Sequence, residues 1–153
     1  MKNPKLVITA LDETLTKLVQ QTDKKTAVIW ALDCAERVLH YFEDKYPKDN
    51  RPRLAIEAGR KWVKTGIFKM AVIRKASLDA HAAARNVQND DIARSTARAC
   101  GHAVATTHVK THALGPIRYG LAAIRDATNS IEAVNKENNW QLQHLLDLKN
   151  QKH

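Results

Sequence analysis

Chain breakers and aromatic rings are both scarce in this sequence: 5 Gly and 4 Pro occur among 153 residues, and Phe, Trp and Tyr make up 5%. A chain so poor in breakers and rich in Ala, Leu, Lys, Arg and Gln favours helix, because these side chains lose little rotamer freedom there. A significant sheet is not expected. No apolar run approaches the roughly 18 residues that a membrane-crossing helix needs. Near the start, Leu6-Val7-Ile8 is closed off by Asp12-Glu13, too short a run for a secretion signal, so a cytoplasmic protein is expected. The two cysteines, Cys34 and Cys100, match no zinc or redox spacing, and in that compartment they should be reduced thiols inside the core. The sequence has no phosphate-binding glycine loop and no G-x-S-x-G nucleophile motif. A non-enzymatic protein without a cofactor is therefore the reading.

Helical periodicity fills most of the chain. Leu11, Leu15, Leu18 and Val19 make a short stripe over 10–20, with Leu6-Val7-Ile8 extended before it. Thr22 or Asp23 caps a stronger helix over 24–45, whose apolar face includes Ala27, Trp30, Ala31, Cys34, Val38 and Phe42. Pro52 suits the first turn of a helix that buries Ala55, Ala58, Gly59 and Trp62 and ends at Gly66. A sevenfold repeat of Met70, Ile73, Ser77, Ala80, Ala84 and Val87 predicts a helix over 68–88. The next runs from Asp90 to Thr107, with a stripe of Ile92, Thr96, Ala99, Ala103 and Thr106. Small residues on both stripes let these two axes approach closely. A further helix lies near 113–128, with Pro116 in its first turn. The last covers 132–149, with Val134, Trp140, Leu142, Leu145 and Leu146 as its apolar positions. The fold class expected is all-α: a single-domain bundle of about five to six helices, with residues 1–22 as an N-terminal extension and 23–149 as the helical domain.

The net charge of +9 is unevenly spread. Residues 51–128 carry 14 basic and 5 acidic side chains, whereas the segments on either side are balanced. Arg60, Lys61, Lys64, Arg74, Lys75, Arg85, Arg94 and Arg98, with Arg53, are a candidate anion-binding surface. Such contacts hold a phosphate backbone without reading sequence. No zinc-finger or basic-zipper pattern accompanies them, although the Asn86–Asp91 turn leaves a helix-turn-helix open. A solvated surface is the plainer reading of the same charges.

Chemistry, if present, falls to Asp33, Glu36, Arg53, His81, His102, His108 and His112. Asp33 and Glu36 share a helical face and should pair with Arg37, Arg53 or a histidine, because an unpaired buried carboxylate is costly. His108 and His112 have the i, i+4 spacing of a metal-binding pair, but they straddle the expected break between two helices. A histidine there can instead serve loose carbonyls at a helix end. The seven residues form either a structural network or a small-ligand or metal site.

Trp30-Ala31-Leu32-Asp33-Cys34-Ala35-Glu36-Arg37-Val38-Leu39 resembles the opening motif of the immunity-protein family of bacterial polymorphic toxin systems. So does Arg51-Pro52-Arg53-Leu54-Ala55-Ile56-Glu57-Ala58, followed by Trp62 and Gly66. Ala80-His81-Ala82-Ala83-Ala84-Arg85, Ala99-Cys100-Gly101-His102-Ala103-Val104-Ala105, His108, Thr111-His112-Ala113-Leu114, Tyr119 and Trp140-Gln141-Leu142 continue it in order, over about 26–145. The resemblance implies a helical protein that binds and neutralises a partner toxin. It places the seven polar residues inside matching motifs. Pro116 and the segment before Thr22 depart from the pattern. Nuclease toxins tend to be basic and their inhibitors acidic, so a basic chain argues against a nuclease target. A nucleic-acid partner and a homodimer are also compatible with the sequence.

Overall fold

The computed structural model describes residues 13–151, so the expectations for Leu6-Val7-Ile8, for Leu11 and for the start of the first helix fall outside it. Helix α1 covers 13–20, α2 Lys24–Glu43, α3 Arg51–Thr65, α4 Met70–Asn86, α5 Asp91–Ala105, α6 Leu114–Thr128 and α7 Ile131–Gln151. A 3₁₀ turn, Lys110–Ala113, joins α5 to α6, and no strand occurs among the described residues. Seven α-helical segments thus stand among the described residues where five to six were expected. The short α1 persists because Leu15 and Val19 are buried in the core.

The helix ends have local causes. The Asp23 carboxylate accepts from the Thr26 amide at 3.0 Å and caps α2. Asp90 does the same for α5 through the Ala93 amide at 3.1 Å. Gly66 closes α3 at φ 69°, a left-handed conformation that glycine adopts without strain. Pro116 lies in the first turn of α6, where its missing N–H leaves no bond unmade.

The centre is α2 and α5. Helix α2 packs against α3, α5, α6 and α7, and α5 packs against α2, α3, α4 and α6. Helix α2 contributes bulk: Trp30, Leu32, Leu39 and Phe42 are all fully buried. Burying each such side chain stabilises by about 1.5–3 kcal/mol. Helix α5 contributes closeness instead, burying Ala93, Ala97, Ala99, Cys100, Gly101 and Ala103. Cys34 on α2 and Cys100 on α5 are free thiols, wholly enclosed, and burial pushes both above the usual range.

Two stripes differ from the expected ones. Met70 does not join the core and is 43% exposed, because α4 begins there and its inner face is Ile73, Ala80, Ala83 and Ala84. The inner face of α7 is Glu137, Gln141, Leu145 and Leu148, while Leu146 faces outward. Two polar residues can occupy core positions because each has a distant partner. Arg37 donates twice to Glu137, at 2.7 and 2.8 Å. The Gln141 side-chain amide donates to the Ile117 carbonyl at 3.4 Å, while the Gln141 backbone carbonyl accepts from the Trp30 indole at 2.8 Å.

Glycines sit at close helix contacts. A β-carbon on Gly115 would overlap His102 Cβ, an atom fixed to the α5 backbone. One on Gly59 would lie 2.6 Å from Leu32 Cδ2, the free end of a flexible side chain. Gly115→Ala is therefore expected to cost about 1–3 kcal/mol through overpacking. Gly59→Ala should stay within about 1 kcal/mol of the parent, since a rotamer adjustment offsets the clash and alanine favours helix. Urea denaturation of the two variants checks the contrast, and equal losses would contradict it.

Candidate functional site

Three histidines meet across α4, α5 and the 3₁₀ turn. The rings of His81 and His102 stand edge to face with centroids 4.9 Å apart. His102 also stacks with Tyr119 of α6 and with His112, at centroid distances of 5.6 and 5.4 Å. Space for the rings comes from glycine. The His81 edge carrying Nε2 occupies the place of a side chain at Gly101, and His102 lies where one would stand at Gly115.

The hydrogen bonds fix charge states. Arg98 approaches His81 Nδ1 at 2.8 Å. A guanidinium only donates, so that nitrogen must accept and the ring is neutral. His102 Nδ1 and His112 Nδ1 lie 3.2 Å apart, so one donates and the other accepts. Burial pushes His81 and His102 each down to about 4, reinforced by the positive field of neighbouring groups, and it lowers His112 as well. The cluster is neutral near pH 7 and resists protonation.

Asp33, Glu36 and Arg53 belong to other contacts. Asp33 on α2 accepts from His144 Nε2 at 2.7 Å and pairs with Arg60 of α3 at 2.7 Å. Glu36 shares that guanidinium at 3.0 Å. His144 stacks on Trp140, and the Arg37 guanidinium lies 3.7 Å from the centre of the Trp140 ring. A ladder of Glu137, Arg37, Trp140, His144, Asp33, Arg60 and Glu36 thus fastens α7 and α3 to α2. Arg53 pairs with Glu43 at 2.6 Å. Of the seven sequence candidates, the structure brings His81, His102 and His112 together, sets Asp33 and Glu36 along α2, and places Arg53 on α3 against Glu43 of α2. Glu137, Tyr119, Gln141 and His144 were not singled out by the sequence, although Tyr119 and Gln141 lie in motifs quoted above.

His108 stands apart from the ring cluster. Because α5 ends at Ala105, His108 and His112 do not share a helical face, and His108 stacks on Phe68 with centroids 5.8 Å apart. It lines a groove of about 310 Å³ together with Met70, Ile73, Arg74, Ser77, Leu78 and Ala105. Leu78 is 57% exposed and Phe68 40%, so apolar surface faces solvent on this side of α4. Among the described residues, no group of three or more His, Cys, Asp or Glu side chains is arranged to hold a metal ion.

The basic candidates divide. Arg60, Lys75 and Arg94 are held by carboxylates of their own chain, Lys75 by Asp79 and Arg94 by Asp91. Among the described residues, Lys61, Lys64, Arg74 and Arg85 form no ion pair, and Arg98 faces a neutral imidazole.

What this defines is a small all-helical protein with an exposed apolar groove and a ring cluster set in positive surroundings. The family model described as Imm-5 like putative immunity protein matches residues 17–148, and the chain belongs to that family. No curated protein and no solved structure matches it. No described helix is long and apolar enough to cross a membrane.

Proposed function

We propose that this chain is a non-enzymatic immunity protein that neutralises a partner toxin by binding it, with the groove on α4 as the docking surface. The observation that carries the reading is the exposed apolar side chains around that groove in a member of an immunity-protein family. Solvated apolar clusters of this kind mark interaction sites. Phe68, Met70 and Leu78 offer the adaptable and aromatic contacts that dominate interface energies. Arg74 lines the groove and the exposed Lys69 stands between Phe68 and Met70 in the chain, whereas Lys75 is paired with Asp79, so the fitting face of the toxin is apolar with acidic residues at its rim.

The test is co-expression with the product of the adjacent gene, scored by cell survival and co-purification. Leu78→Asp and Met70→Asp are expected to weaken binding at least about 30-fold, the ~2 kcal/mol of an interface hot spot. Leu146→Asp, similarly exposed but on α7, should leave protection intact. Full protection by the first two variants would sink the docking surface.

A nucleic-acid role has narrower support, in the exposed basic side chains of Lys61, Lys64, Arg74 and Arg85. It requires affinity that falls steeply with salt. No mobility shift at low salt and micromolar protein would remove it.

A further inference from the structure

We propose that Arg98 is the centre of an oxyanion-binding site, for a carboxylate or phosphate group, on the outer face where α4 and α5 meet.

Arg98 is held differently from the other paired arginines. Arg37, Arg51, Arg53 and Arg60 each face a carboxylate, at 2.6–2.7 Å, and their charge is matched there. Arg98 is oriented by His81 Nδ1, and no carboxylate among the described residues pairs with it. A neutral acceptor fixes the guanidinium without cancelling its charge, and leaves most of its five donors uncommitted. A bidentate acceptor such as a carboxylate or phosphate is the natural complement of that fork.

His81 is itself locked. Its Nε2 edge packs against Gly101, and His102 stands against its ring. A side chain at 101 would displace the imidazole and release the arginine with it. His81 is therefore a positioning residue, acting through Arg98.

Positive side chains act on His81 and His102 from several elements. From α4 the groups facing the cluster are His81 and Arg85; from α5 they are Arg98 and His102. The 3₁₀ turn adds His112, with His108 behind it, and α6 adds Arg118 and Tyr119. Arg85 is exposed, forms no ion pair among the described residues and is close enough for its charge to act on His81. An anion arriving here meets positive potential on a part-buried face, where screening by water is reduced.

The experiment follows the histidine Cε1 protons by NMR near neutral pH while inorganic phosphate is added, with ionic strength held constant by sodium chloride. Saturable shifts at His81 and His102 are expected, with half-saturation on the order of millimolar, as suits one exposed anion contact. Arg98→Gln should abolish saturation. Arg85→Gln changes an exposed side chain, so folding is kept, and it should raise the half-saturation point several-fold. A second arm uses a hexaglutamate peptide. Saturation at lower concentration than phosphate assigns the site to carboxylates of a protein, and saturation by phosphate alone assigns it to phosphate groups. Linear shifts with both probes, or an unchanged response in both variants, overturn the proposal. The proposal does not rest on the toxin-docking groove, and groove variants such as Leu78→Asp should leave phosphate binding unaltered.

Discussion

Acidification from about pH 6.5 to about pH 4 is expected to lower the melting temperature before most carboxylates titrate. His81 and His102 have folded-state values of about 4 against an ordinary 6.5, chiefly because burial disfavours the imidazolium. Above pH 6.5 both rings are neutral in folded and unfolded chains, and they add no pH dependence. Between the two values the unfolded chain takes up protons that the folded one refuses, so stability falls with falling pH. Geometry points the same way. Protonated His81 would turn a donor toward Arg98, and doubly protonated His102 and His112 would set two donors 3.2 Å apart. Every tenfold loss of proton affinity on folding corresponds to about 1.4 kcal/mol. Allowing for screening of part-exposed rings, each contributes on the order of 2 kcal/mol across the window. Asp49, which its hydrogen bond to Arg51 holds below the usual carboxylate range, responds only at lower pH. Thermal melts at intervals across the window check this, and His102→Gln should flatten the profile. A melting temperature constant down to pH 4.5 would refute it.

The second large effect is at Trp30. This side chain is fully buried on the central helix, and its indole N–H is bonded to α7. Trp30→Ala removes the largest block of the core and leaves a cavity, at a cost of about 3–5 kcal/mol. Against the roughly 5–15 kcal/mol typical of a folded domain, that is enough to leave a substantial unfolded fraction. Trp30→Phe keeps most of the volume and loses the hydrogen bond, so about 1–2 kcal/mol is expected. Denaturant midpoints of the two variants separate packing from hydrogen bonding. A loss below about 1 kcal/mol in Trp30→Ala would mean that the site can collapse around the gap.

The helices were legible where local chemistry sets them: Asp23 as a cap, Asp90 as a helix start, Gly66 as a stop and Pro116 in a first turn all act within a few residues. The face of α7 was not, because Glu137 and Gln141 look solvent-facing until Arg37, a hundred residues earlier, and the Ile117 carbonyl of α6 supply partners for their side chains. Met70 continued a sevenfold pattern, but periodicity does not say where a helix starts to be covered. Among the polar candidates, residue type marked His81, His102 and His112, while their meeting depends on how α4, α5 and the 3₁₀ turn are packed. Gly101 and Gly115 make room for the rings of His81 and His102, but each ring comes from a residue more than ten positions earlier, so neither glycine marks its histidine in the sequence. Asp33 and Glu36 took Arg60 and His144 as partners, and spacing along α2 alone cannot identify either one.

The two enclosed thiols make the middle of the protein its own reporter. Cys34 and Cys100 sit on the two helices that every other large helix leans on, and neither meets solvent while those helices stay together. A thiol-modifying reagent should find nothing to react with in the native state, and its rate in mild denaturant should measure how often the centre opens rather than how often the ends fray. A single cysteine placed on the surface would then take a label alone, leaving the native pair untouched.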